Sequence, residues 1–504
     1  MSTNIQSAIP QSTPEAVSKE ILIELFMNAH AGDGSEWDKR VEKAWEQEFG
    51  YPFERIEDDD LRPSFALYGP PGHGKTAAFK EAGKRFSKAM GMRFVSEPAE
   101  DFVPSKEDFV FVSLEMAGEV SNMTTAGIPT KSSFTTSDGR EVPVMEKLIS
   151  RQFLQLQEAG SGILLLDDFN NAVHNVQNQL LSIAQFRRIQ SVHFGRALVG
   201  LTGNLGAADN TEVYSPKLAL KTRCQQIYVE DNPKDFVKRA DAKYAASTAG
   251  FIRAKDIINA FISHREDQFA GDPSSVRVEQ GDVYACPRSW ENLIKVMGPR
   301  MKMIEQLGDA AALSAQNIAH RLVGGDVAQK FSEYFYQMTT SALPLARELV
   351  ENGQLSEESK RLFQSKIGSG VSSTEQDFSQ QFSMALGNLV AEKVVDINKG
   401  MRGEKKEKAL SEIGCSYYGG LSMIEPSHQF LSMSRLRSRV ENVVGDVLSG
   451  DGDKVVALWK HLSKGMVEGI NKFGISEDEL PSFKENVGRV FSKNDAISSK
   501  VSIR

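Results

Sequence analysis
Eight consecutive residues carry the strongest chemical signal in this 504-residue chain: Gly69, Pro70, Pro71, Gly72, His73, Gly74, Lys75 and Thr76. Their order satisfies G-x-x-x-x-G-K-[ST], the spacing of a loop that cradles phosphates. Glycines let backbone N–H groups turn inward around a β-phosphate, and the N-terminus of a following helix adds partial positive charge. Lys75 would reach the β- and γ-phosphates, and the Thr76 hydroxyl would ligate Mg²⁺. An ordinary glycine-rich turn would need no particular neighbours. Here Ser64 to Tyr68 reads as a short buried strand, and Ala77 to Phe86 reads as a helix. Strand, loop and helix in that order predict binding of a nucleoside triphosphate, ATP with Mg²⁺.

A second constellation lies downstream, where the apolar run Ile163 to Leu166 ends in two carboxylates, Asp167 and Asp168. Such a strand in a parallel sheet presents acid at the carboxyl edge, beside the phosphate loop. Asp167 is placed to hold Mg²⁺ through water, and Asp168 to orient or deprotonate an attacking water. The plainer alternative is a strand that ends in a solvated acidic turn. Most nucleotide hydrolases of this design carry glutamate at the second position. Aspartate is one methylene shorter, so the water must approach more closely or the carboxylate acts less effectively.

The elements that must position these groups are legible in outline. From Leu61 to Glu230, short apolar runs alternate with helical segments, the pattern of a parallel α/β sheet. Residues 108–114, 162–167, 197–202 and 225–229 are further strand candidates. Residues 1–15 are polar and read as a disordered tail. Helices are expected over 16–30 and 36–47, the second with Trp37 and Trp45 on one face, either packed on their own domain or open to a partner. Beyond Asp231 helical periodicity dominates, with breaks at 368–373, 399–403 and 449–452. In the last part, 377–395 and 455–473 show apolar faces suited to a helical bundle. The basic run from Lys399 to Lys408 reads as a solvated connector.

Composition narrows the class. With 59 basic against 67 acidic residues, a net charge of −8 argues against a dedicated nucleic-acid binder, while leaving room for a local basic groove. Three scattered cysteines, Cys224, Cys286 and Cys415, suit a reducing compartment and form neither a zinc set nor a disulfide frame. No signal peptide and no membrane span is visible, so a cytoplasmic location is expected.

Residues 167–181 carry a more specific likeness. Asp167 to Ala172 (DDFNNA), followed by Val176 and Gln177 and then Leu180 and Leu181, resembles the "DEINRA…VQ…LL" stretch of MoxR-type AAA+ ATPases. Further segments are similar in the same order. Leu201 to Asn204 resembles the sensor-1 position, which implies that Asn204 touches the γ-phosphate or the lytic water; a turn-capping role is its alternative. Residues 215–223 resemble the segment ending in an arginine finger, which implies that role for Arg223, with Lys221 as the competing candidate. Ala285 to Leu293 resembles the "TPRSWE" element of the helical lid, which implies that Arg288 is sensor 2, against a solvated first-turn residue. Residues 118–141 resemble the helix-2 insert of the clade, and 187–196, with Arg187, Arg188 and Arg196, resemble its β-hairpin. Both would face an axial channel; otherwise they are surface loops.

The resemblance spans about residues 61–300 and departs at Asp168 and Asn171, where the family has Glu and Arg. It implies a helical N-terminal extension (1–60), an AAA+ nucleotide domain (61–230), a helical lid (231–345) and an α-helical C-terminal domain (346–504). It also implies a homo-oligomeric ring, most readily a hexamer, that remodels a protein client such as a von Willebrand A-type partner. Alternatives are a DNA-linked motor or loader, and a slow-hydrolysing ATP-gated scaffold.

Overall fold
The computed structural model describes residues 11–54, 63–117, 127–216, 218–277, 282–307, 310–367, 373–424 and 452–473, with isolated positions between 428 and 440. Expectations for residues 1–10, 118–126, Lys217, 368–372 and 449–451 lie outside the described residues. The chain forms two compact units. One holds the residues up to Asp235 together with parts of 271–282 and Cys286–Arg288. The other holds Phe236–Ala270, Val283–Ala285 and the chain from Ser289 onward.

The first unit is an α/β layer structure. Its seven strands are β1 (Gln11–Ser12), β2 (Ser64–Tyr68), β3 (Arg93–Ser96), β4 (Asp108–Glu115), β7 (Ser161–Asp167), β10 (Ala197–Gly203) and β11 (Cys224–Val229). They pair in parallel in the order β1-β11-β2-β10-β7-β4-β3. Strand β2 lies between β10 and β11, so its chain-order neighbours lie elsewhere and a crevice opens at its carboxyl end. Because successive side chains alternate faces, each strand feeds two cores. Val110, Val112, Leu164 and Leu166 join one face with Phe153 and Leu156 of α4 (Arg151–Glu158) and Val176 and Leu180 of α5 (His174–Phe186). Phe109, Phe111, Ile163 and Leu165 join the other, against Ala78, Phe79 and Phe86 of α3 (Lys75–Ala89).

The N-terminal segment corrects one expectation. From Gln11 the supposed tail is ordered: Gln11 and Ser12 add an edge strand beside Tyr228 and Val229, and Glu230 N donates to Ser12 O at 3.1 Å. Thr13 Oγ1 then caps α1 (Pro14–Ala29) by accepting from Ala16 N, with Pro14 at the first helical position. Helix α2 (Glu36–Phe49) follows. Trp45 is buried, and Trp37 donates to Ala29 O at 2.8 Å while the Arg196 guanidinium lies 4.8 Å from its ring centroid. The tryptophan pair therefore packs on its own domain.

Two antiparallel hairpins project from this frame. Strands β5 (Ile128–Thr135) and β6 (Glu141–Leu148) pair over eight residues each, within and beyond the expected insertion. Ile128, Phe134, Val142 and Leu148 share one face of it and are exposed. Strands β8 (Arg188–Ile189) and β9 (Val192–His193) form a two-residue ladder. Arg187 is buried there and donates to Asn28 Oδ1 at 2.6 Å, which removes it from any basic surface.

The second unit is helical and shares one continuous core from Phe236 to Met466. Helix α6 (Leu218–Lys221) closes the first unit, and α7 (Pro233–Tyr244) carries the chain across. Helices α8 (Ala249–His264) and α9 (Pro287–Met297) meet through Phe261 and Trp290, whose Nε1 donates to Phe269 O at 2.8 Å. Further along, α10 (Ser373–Gly400) and α11 (Gly403–Leu421) flank the break at Met401 and Arg402, and α12 (Gly452–Phe473) packs along α11. Among the described residues no helix is long and apolar enough to cross a membrane.

Candidate functional site
The five residues of β2 are all buried and deliver the chain to Gly69 at the carboxyl edge of the sheet. A Cβ on Gly69 would lie 2.2 Å from Val229 O, so only glycine lets the loop pass β11. Gly72 has φ +85, and a Cβ there would meet the Cys286 sulfur at 2.7 Å. The loop is thus a tight cradle formed by main chain, with no side chain filling it at these points.

Lys75 opens α3 and is buried. Its Nζ donates to Gly69 O at 2.7 Å, Pro70 O at 3.1 Å and Asn204 Oδ1 at 3.0 Å, which uses all three ammonium hydrogens. Burial pushes the Lys75 pKa down to about 8; the carboxylates of Asp168, Asp209 and Asp167 oppose this, and Arg288 adds to it. His73 is also buried, accepts from Asp231 N through Nδ1 at 3.3 Å, and is pushed down to about 4, first by burial and then by Lys75. It is therefore neutral near pH 7, with its proton on Nε2.

Thr76 Oγ1 donates to Asp167, 3.0 and 3.1 Å from the two carboxylate oxygens. Thr202, fully buried on β10, donates its hydroxyl to Asp167 Oδ1 and accepts from Asp168 N at 3.0 Å. Asp168 itself is left-handed, φ +52, and this turns its side chain off the strand direction. Its Oδ1 accepts from Asn204 Nδ2 at 3.1 Å. Burial raises the Asp168 pKa, Asp167 adds to the rise, and Lys75, Asn204 and Arg288 oppose it. Asn204 is clasped from below: Asn170 Nδ2 donates to its carbonyl at 2.8 Å, and its N–H donates to Asn170 Oδ1 at 3.1 Å.

Lys75, Thr76, Asp167, Asp168 and Asn204 thus form one hydrogen-bonded group drawn from β2–α3, β7 and β10. Arg288 lies beside it: its N–H donates to Gly72 O at 3.2 Å, and its charge is felt at Lys75 and Asp168, while its side chain stays exposed. Arg223 is not brought to the group. Its Nε donates to Gln185 Oε1 at 2.6 Å and its guanidinium also bonds Ala219 O.

Sequence reasoning missed Thr202, Asn170, Asp209 and Glu115. Asp209 is buried and accepts from Leu205 N at 2.7 Å. Glu115 ends β4 level with Asp167; its side chain is exposed overall, yet partial desolvation of the carboxyl raises its pKa, the Ala117 N–H opposes this, and the charges of Asp168 and Asp167 add to the rise. Asn170 and Thr202 had a sequence signal, through their places in the DDFNNA and Leu201–Asn204 stretches; Asp209 and Glu115 had none.

The donor set suits Mg²⁺, a hard ion that takes oxygen ligands, with a hydroxyl and a carboxylate already side by side. Among the described residues no three His, Cys, Asp or Glu side chains could hold a metal ion by themselves.

Residues 65–230 match the family model described as the ATPase family associated with various cellular activities (AAA). No curated protein matches the chain. Among solved structures, a provisionally named ATPase from Cytophaga hutchinsonii is 11% identical and covers 78% of this chain and 84% of its own. Its TM-score of 0.21 is too low to carry an argument.

Proposed function
We propose that this chain, which carries an AAA-family P-loop ATPase domain at residues 65–230, is the subunit of a ring that uses ATP to remodel a protein partner. One observation carries the ATPase reading: Lys75, Asn204 and Asp168 are linked in series across the mouth of the loop, beside the Thr76–Asp167 pair. Lys75 and the loop amides bind the phosphates. Thr76 and Asp167 would hold Mg²⁺, which would supply positive charge against that of the phosphates. Asp168 orients the lytic water and accepts its proton, and Asn204 holds that carboxylate in place and contacts the γ-phosphate. Arg288, held beside the loop by its N–H on Gly72 O, reaches the nucleotide as the charge that senses it, and Arg223 serves the neighbouring subunit.

Support for a polypeptide client comes from one face of the β5–β6 hairpin, where Ile128, Phe134, Val142 and Leu148 are exposed, although the other face carries the exposed Lys131 and Lys147. The basic hairpin ends are largely committed, Arg187 to Asn28 and Arg196 to Trp37. A von Willebrand A-type protein is the partner the MoxR-like reading favours. Stimulation of ATP turnover by protein substrates but not by DNA supports this reading; stimulation by DNA alone overturns it in favour of a DNA-linked motor.

The short second carboxylate supplies a direct test. Asp168→Asn is expected to bind ATP with near-normal affinity and to lose about a hundredfold or more in turnover, since general-base contributions are of that size. With ATP it should accumulate as closed rings, measured by mass photometry. Asp168→Glu should keep or raise the rate of phosphate release. Normal hydrolysis by Asp168→Asn would mean that another residue positions the water.

Binding should also depend on pH. In the free protein Lys75 loses its proton as pH rises through about 8, whereas bound phosphates stabilise the cation. Binding then takes up a proton, and affinity falls with rising pH, by up to about tenfold per unit above pH 8. Calorimetry in buffers of different ionisation enthalpy measures that proton, and Lys75→Arg should abolish the uptake.

A further inference from the structure
We propose that Glu115 is a second carboxylate of the magnesium site, holding a water of the ion's shell beside Asp167. The proposal rests on the nucleotide site described above and adds a residue that no motif in the chain marks.

Strand alternation fixes the face on which Glu115 lies. On β4, Val110, Val112 and Leu114 enter the core on one face of the sheet, and Phe109 and Phe111 enter the core on the other. Glu115 continues the second series and so belongs to the face covered by α3. On β7, Ile163 and Leu165 take that same face, and Asp167 follows them. Glu115 and Asp167 are Cα partners in the parallel ladder. Neighbouring strands lie about 4.8 Å apart, so the two side chains leave the same sheet edge on the same side, one strand apart. Thr76, at the first turn of α3, bonds Asp167 on that side.

Charge and reach complete the case. Asp168 does not compete for this position, because its left-handed backbone directs it to Asn204. Glu115 is exposed and makes no ion pair among the described residues; its hydrogen bond is local, Oε1 accepting from Ala117 N at 3.2 Å. One methylene longer than aspartate, it extends beyond the strand end, where a hydrated ion would sit. Mg²⁺ keeps several waters in most protein sites, and an outer carboxylate that accepts from them is a common anchor.

A purely local role, holding the turn at Ala117, makes a different prediction. Glu115→Gln keeps that acceptor and removes only the charge. The test uses the full chain saturated with a non-hydrolysable ATP analogue and titrated with Mn²⁺, observed by electron paramagnetic resonance. Glu115→Gln is expected to weaken Mn²⁺ binding about tenfold, the size seen for partners one shell out from a metal. Affinity for the analogue in EDTA should stay within about twofold, since the phosphate contacts are untouched. Unchanged Mn²⁺ affinity would overturn the proposal and leave Glu115 a turn residue. A loss of analogue binding in EDTA would overturn it too, by showing a structural role. If the unaltered chain binds neither analogue nor Mn²⁺ with it, the nucleotide site itself is misassigned, and that failure is separate.

Discussion

Lys75→Ala is expected to abolish ATP binding, with an affinity loss on the order of a hundredfold or more. Lys75 is the cation at the centre of the loop, and a charge-assisted contact to phosphate contributes about 1.5–3 kcal/mol, before any loss of loop geometry. Geometry is lost as well. Lys75 Nζ ties Gly69 O, Pro70 O and Asn204 Oδ1 together, so its removal frees the loop and the Asn204 side chain at once. Turnover should fall with binding, since Asn204 also holds Asp168. Lys75→Met retains much of the aliphatic stem and separates loss of charge from loss of packing. Thermal melts of both variants separate a binding defect from unfolding, since removing the ammonium leaves Gly69 O, Pro70 O and Asn204 Oδ1 without their donor. Fluorescent-nucleotide titration gives the affinity. Unchanged binding in both variants would sink the phosphate-loop assignment.

Arg223→Ala tests ring and chemistry together. In the isolated subunit Arg223 lies against Gln185 and Ala219, away from the Lys75 group, so it has no partner among its own phosphate-binding residues. If it reaches the γ-phosphate of a neighbour, alanine should leave ATP affinity within a few-fold and lower turnover by about 10² or more, a loss of transition-state contact alone. Mixing Arg223→Ala with Lys75→Ala should then restore part of the activity. Some interfaces in the mixed ring pair an intact loop with an intact Arg223 from the Lys75→Ala neighbour, and neither variant alone has such an interface. Absence of rescue in rings shown to be mixed would assign Arg223 to its own subunit or to no catalytic role. That outcome would also withdraw the main physical argument for a ring.

Local spacing was enough to find the groups whose chemistry depends on consecutive residues. The loop from Gly69 to Thr76, the strand before it and the helix after it are one continuous stretch, and largely apolar segments of 5–7 residues marked β2, β4, β7, β10 and β11. Asp167 and Asp168 were legible for the same reason, as the polar end of a buried run. The short strands escaped. Arg93–Ser96 is half exposed with no alternation to read, and Gln11–Ser12 is a strand only because the free edge of β11 accepts it.

The contacts that turn these groups into a site were decided by tertiary structure. Parallel register sets Glu115 beside Asp167 and Leu201 beside Leu166, which in turn brings Thr202 to both aspartates. Register comes from the packing of two cores against α3, α4 and α5, and no residue type along one strand encodes its neighbour's offset. The left-handed turn at Asp168 separates two adjacent carboxylates, giving one to Thr76 and the other to Asn204. The return of Cys286–Arg288 to Gly72 joins residues more than two hundred positions apart. Sequence alone determined which chemical groups this protein owns. Only folding decided which of them meet, because each meeting is set by strand pairing and helix packing across the sheet.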